Sequence, residues 1–169
     1  MEQIANVPPS APTNPAQRTY LRRETVVSAA INAVLSAVFT LLAFGGEMSI
    51  GWRALAFDAL PQSFAIALMG SLVPALLARR AIGAGRLPGG GRHLATGAIV
   101  QAALRNALLA AVIGTALWAA ALVVAGVETI AFDIVMAVKI AYGAVLGAIV
   151  TRMVLTRLLS APADPARRA

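Results

Sequence analysis

Four apolar runs of about 20 residues dominate this chain: roughly Val26–Phe44, Asp58–Ala78, Ile99–Ala125 and Asp133–Leu155. A helix of about 20 apolar residues spans the ~30 Å hydrocarbon layer of a bilayer. A soluble domain is about half apolar and a quarter charged. Here 59% of residues are hydrophobic and only 12% charged, and the apolar residues are gathered into runs. These features predict one all-α membrane domain of four transmembrane helices over about 24–159, flanked by polar tails.

Those tails read as disordered and cytoplasmic. Residues 1–23 hold four prolines in the first fifteen positions, which disfavours regular helix, and end on Arg22–Arg23. A cleaved signal peptide would need a shorter basic leader and a small-residue cleavage site after the apolar run. The Arg pair fits a topology signal better than a twin-arginine export signal. Residues 160–169 are again polar and proline-containing.

The 169-residue chain has no cysteine and one histidine, His93. Disulfides, thiolate chemistry and cysteine-ligated metals are thereby excluded, as is a bis-histidine haem within one chain. No cofactor and no metal site is expected. The net charge of +7 would suit nucleic acid, but the arginines stand beside the ends of apolar runs and no stacking aromatics interleave with them. The charge is read as topology.

Arg18, Arg22 and Arg23 precede the first span. Arg79, Arg80, Arg86 and Arg92 separate the second and third, and Arg152, Arg157, Arg167 and Arg168 close the chain. With four spans these regions share one side. The opposite connections carry only Arg53 among basic residues, beside Glu47, Asp58, Glu128 and Asp133. The positive-inside rule places both termini in the cytoplasm.

Two local matches point to an internal repeat. "INAVLSAV" around Asn32 resembles "RNALLAAV" around Asn106, 74 residues on, and "LAFDAL" at Leu55–Leu60 resembles "IAFDIV" at Ile130–Val135, 75 residues on. We read a parallel duplication of a two-helix hairpin, its halves related by an axis along the membrane normal. Asn32 and Asn106 would then lie at matching depths, each bonded to another helix.

Several residues could carry chemistry. Asp58 and Asp133 are expected to cap the second and fourth helices, where a carboxylate meets free N–H groups and the positive dipole end. A sharper reading gathers the two carboxylates into a cation or proton site. Phe57 and Phe132 would anchor at the interface, with Trp52 and Trp118 in the aromatic belt and Tyr142 inside the bundle. Lys139 and Arg105 lie nearest the hydrocarbon, and intramembrane charge is a functional hypothesis by default. Both sit close enough to a span end to snorkel, Lys139 outward and Arg105 inward. Small residues at Ala33/Ala37, Ala107/Ala111 and Gly143/Gly147 would let helices approach closely. Pro61 is placed in a first turn, where it is tolerated. Pro74 should kink its helix and free the carbonyl of Gly70, as a packing kink, hinge or ligand notch. The loop "PGGGRH" lacks the phosphate-loop pattern, and no Ser-His-Asp or H-E-x-x-H set is present.

The stretch "GWRALAFDALPQSFAIALMGSLVPALLARR" (Gly51–Arg80) resembles small uncharacterised bacterial inner-membrane proteins built of two-helix units. Those carry a Trp at the outer turn and a Pro before basic residues at the inner end. The likeness covers mainly the first half. The second half has no Trp in its outer turn and no proline matching Pro74. The resemblance implies an architecture and no activity.

The expected function is a non-enzymatic structural or accessory subunit, with the bilayer, a second copy or a larger membrane complex as partner. The alternative is a small oligomeric transporter or channel using Asp58, Asp133 and Lys139. What separates them is whether those side chains converge on a polar cavity.

Overall fold

The computed structural model describes residues 14–87 and 95–160. The tail expectations for 1–13 and 161–169, and the loop holding His93, lie outside the described residues. The elements are α1 (Pro15–Phe44), β1 (Ser49–Gly51), α2 (Trp52–Gly83), α3 (Thr96–Val124), β2 (Thr129–Ala131) and α4 (Phe132–Leu159). All four helices are long and apolar enough to cross a membrane. The chain is an all-α, multi-pass membrane protein.

Residues 15–23 are helical and not an irregular tail. Pro15 stands at the first helical position, where its missing N–H is no loss. Asn14 caps the turn, accepting at Oδ1 from the Ala16 N–H at 2.9 Å. At the other end Gly85 adopts a left-handed φ of 71° after α2. The Gly85 N–H donates to Ile82 O and the Arg86 N–H to Ala81 O. This Schellman pattern satisfies carbonyls that the helix leaves free.

The connections opposite the basic ends pair as a two-stranded antiparallel ladder in the register Ser49↔Ala131, Ile50↔Ile130 and Gly51↔Thr129. The Trp52 N–H donates to Glu128 O at 3.0 Å, and the Phe132 N–H to Met48 O at 3.1 Å. The first N–H of α2 and of α4 is therefore met by the neighbouring strand. This is why α2 starts at Trp52, six residues before the expected Asp58. Gly51 and Ala131 stand at the two cap positions without side-chain caps.

Two consequences correct the sequence reading. Asp58 is no cap; it lies in the second turn of α2. Pro61 is interior to that helix, not in its first turn. Asp133 does sit in the first turn of α4, two residues past the cap position Ala131, and is exposed.

Packing crosses between the halves. The long interfaces are α1 with α4 and α2 with α3, α2 also meets α4, and α1 touches its own hairpin mate α2 only lightly. Each hairpin is thus splayed, its first helix laid on the second helix of the other. Several turn and buried positions of the two hairpins recur at a separation of 80 residues. Left-handed Gly46 and Gly126, and the paired Ile50 and Ile130, obey this spacing. So do the buried pairs Leu55/Val135, Ala59/Lys139, Ser63/Gly143, Ala67/Gly147 and Ser71/Thr151.

The residues matched at spacings of 74 and 75 do not share a setting in the fold. Asn32 lies twelve residues before the end of α1, whereas Asn106 lies eighteen before the end of α3. Phe57 is 77% exposed, while Phe132 packs on a buried cluster.

The interior inverts the pattern of a soluble protein. Large apolar side chains such as Val34, Leu42, Ile113 and Val124 point outward, where lipid would meet them. The buried stripe of α1 is Ser28, Asn32, Ser36 and Thr40, every fourth residue. That of α3 is Ala103, Ala107, Ala111 and Gly114. Bulky apolar clusters close the two ends, and a smaller one of Ala67, Ala107 and Val150, with Phe64, Leu68 and Leu146 against it, lies between them. Phe44, Ile50, Leu55, Leu122 and Val135 close the strand side. Leu21, Ile82, Leu155, Leu158 and Leu159 close the basic side. Between membrane helices apolar burial gives little drive, so small residues and polar contacts hold the middle.

Candidate functional site

The most unusual group is Lys139, fully buried on α4. It is the eighth residue of its helix, about 10 Å along the axis at 1.5 Å per residue. It does not snorkel. Its ammonium forms an ion pair with Asp58 of α2, whose side chain is 13% exposed. It also donates to Gln62 Oε1 at 2.8 Å. Asp58 and Gln62 are one turn apart on α2, so both face α4.

Two rings complete the shell. Lys139 Nζ lies 5.8 Å from the Phe44 ring centroid and 5.6 Å from that of Trp118. Both are within the range at which a cation is attracted to a π face. Trp118 thus packs inward, against the expected place in an outer belt. It also meets Tyr142 edge-on at 5.7 Å. Tyr142, expected inside the bundle, is only half-buried, and its hydroxyl is 2.7 Å from Ser63 Oγ. Gly114 makes room for this contact, because a Cβ there would come within 2.6 Å of Ser63 Oγ.

Below the ion pair runs a polar seam between α1 and α4. Asn32 is buried, and its Nδ2–H donates to Ser28 O at 2.8 Å within its own helix, not to another helix. Ser28 carries the link outward, with its Oγ 2.7 Å from Thr151 Oγ1 on α4. Gly143 and Gly147 are the receiving surface. A Cβ at Gly143 would overlap Ser36 Oγ and come within 2.8 Å of Asn32 O. One at Gly147 would lie 2.8 Å from Asn32 Cγ. The glycine pair was legible as a packing motif. Its partners are the hydroxyl stripe, and Ala33 and Ala37 only flank it, half-buried. Ala107 and Ala111 are buried as expected.

The carbonyl of Gly70, freed by Pro74, accepts from Thr151 Oγ1 at 3.0 Å. Pro74 is buried, and the notch is filled by a neighbouring hydroxyl. Asn106 does reach another helix, with Nδ2 3.4 Å from Ser71 Oγ on α2.

The predicted residues therefore separate. Asp58 and Lys139 come together. Asp133 is exposed and takes no part, so the two carboxylates do not form a joint site. Asn32 and Asn106 belong to different interfaces. Sequence reading passed over Gln62, Ser28, Ser36, Thr40, Thr151 and Gly114. The signal available was the four-residue spacing of hydroxyls along α1.

Four spans joined by a buried inter-helix ion pair and a hydroxyl–glycine seam define the class: a polytopic helical membrane protein with a polar interior. No protein-family model, curated protein or solved structure matches the chain.

Proposed function

We propose that the chain is a non-enzymatic structural or accessory subunit of a bacterial inner membrane, acting with further copies of itself or within a larger membrane complex. The observation that carries this reading is the Lys139–Asp58 pair. The strongest charges in the interior neutralise each other across α2 and α4, and the hydroxyls of Thr40, Ser63 and Thr151 bond to backbone or to another hydroxyl. Such groups hold helices in register. The test is purification in mild detergent followed by mass spectrometry of what accompanies the chain. A stoichiometric membrane partner or a defined homo-oligomer is expected. A lone monomer that catalyses flux in liposomes would overturn the reading.

The same proposal takes both termini as cytoplasmic and the halves as a parallel duplication with an 80-residue spacing. The antiparallel ladder supports the second point. Ile50 pairs with Ile130, its own equivalent, as a two-fold axis between the halves requires. Because the chain has no cysteine, single-cysteine variants near Arg18 and near Glu47 can be labelled from either side of the membrane. Labelling at Arg18 from the periplasm would refute the orientation.

A second reading, a small oligomeric transporter, draws on Gln62 Nε2, Asn32 Oδ1 and Ser36 Oγ. These are buried without a hydrogen-bond partner among the described residues. On that reading Asp58→Ala would abolish flux in liposomes. On the favoured reading it changes stability alone.

A further inference from the structure

Arg105 is the charge the interior does not absorb. It is exposed on α3 and has no hydrogen-bond or ion-pair partner among the described residues. The antiparallel α2–α3 contact fixes its level. Arg79 of α2 bonds Thr96 of α3 at the basic end, whereas Asn106, next to Arg105, bonds Ser71. Arg105 thus lies on the order of 10 Å inside the level of Arg79, counting 1.5 Å per residue. A guanidinium attached at that depth is costly unless it reaches water or an anion.

Arg105 lines a cavity of about 200 Å³ between α2, α3 and α4, together with Arg157, Asn106, Ala102 and Val154. Arg157, near the end of α4, is likewise without a partner among the described residues. From this cavity an apolar groove of about 420 Å³ continues toward the strand side between α3 and α4, lined by Leu109, Ile113, Leu146 and Ile149 among others. The groove exists because α3 lies on α2 and leaves α4 uncovered, and Tyr142 against Trp118 closes its far end. From Tyr142 to Arg157 is about 22 Å of helix, enough for an acyl chain that fills one leaflet of about 15 Å.

We propose that this groove is a binding site for one anionic phospholipid of the leaflet on the basic side. Its phosphate lies between Arg105 and Arg157, and one acyl chain lies along α3 and α4. Charge complementarity sets the occupant. Guanidinium groups bind phosphate through paired, charge-assisted hydrogen bonds, and basic pockets between membrane helices favour anionic headgroups. The Arg105–Arg157 pair is not repeated in the first half; a separate cavity is lined by Arg18, Arg22 and Arg152. At the 80-residue spacing the positions matching Arg105 and Arg157 are Thr25 and Leu77, neither of them basic.

The full chain in nanodiscs of mixed phosphatidylglycerol and phosphatidylcholine, released into native mass spectrometry, tests this. Wild type retains one phosphatidylglycerol about tenfold over phosphatidylcholine: both carry a phosphate, but choline would bring a cation beside the two arginines. Arg105→Gln/Arg157→Gln reduces the preference to near parity. Ala102→Phe fills the cavity with both arginines kept and also removes it. Arg86→Gln, which removes a basic residue outside the groove, leaves it intact. If the double variant fails to fold, Ala102→Phe decides. Equal retention of the two lipids by wild type would overturn the proposal. So would an unchanged preference in Ala102→Phe, or a dimer mass in place of a lipid adduct.

Discussion

At the residue scale, what a polar side chain does here depends on which helix lies opposite, and the chain alone conceals this. Thr151 stands in an apolar run and offers no motif, yet its hydroxyl meets the carbonyl that Pro74 leaves open. Thr151→Val should lower stability by about 1 kcal/mol, the usual worth of such a bond. Pro74→Ala in the same chain restores the N–H within α2 and should shrink the penalty. Thermal unfolding of the single and double variants in bicelles checks this. The freed Gly70 carbonyl was legible, because proline chemistry is local. Its partner was not, because it lies 81 residues away. Lys139 shows the same limit. Its own helix holds Asp133 at a spacing that cannot meet it, and only the α2–α4 contact brings in Asp58 and Gln62.

At the element scale, the four helices were legible from length and apolarity, whereas their starts and registers were not. Matching "AFD" to "AFD" gave a spacing of 75. The strand pairing and the buried positions recur at 80, and Phe57 and Phe132 meet different surroundings, one exposed and one against a buried cluster. Nothing in the sequence announces that Glu128 O will serve the first N–H of α2, so Asp58 looks like a cap from the sequence alone. The glycine face of α4 is a firmer object. Gly147→Ala places a methyl against Asn32 and should cost about 1–3 kcal/mol, as overpacking does. Asn32→Ala in the same chain should recover only part of it, since Asn32 Cβ would still lie 2.9 Å from the new methyl. A Gly147→Ala chain as stable as wild type would show that α1 and α4 lie farther apart. In the outer connections, Ser49→Cys/Ala131→Cys should form an intramolecular disulfide on oxidation, since those residues are ladder partners. A mobility shift lost on reduction is the readout, and Ser49→Cys with Glu47→Cys serves as the unpaired control.

At the scale of the whole molecule, two splayed hairpins exchange their first helices, a strand ladder ties them at one end, and α2 meets α4 at the centre. The Lys139–Asp58 pair sits at that centre, under the ladder and between Phe44 and Trp118. The central claim is that this pair is a clasp between α2 and α4. Removing one partner of a buried pair strands the other charge and costs about 3–5 kcal/mol, whereas replacing both with apolar residues of similar size is often nearly neutral. The direct test is unfolding in bicelles of Lys139→Met, Asp58→Leu and the double variant. A clasp predicts a large loss in Lys139→Met and recovery of most of it in Lys139→Met/Asp58→Leu. A Lys139→Met chain as stable as wild type, or a double variant no better than the single, would contradict it.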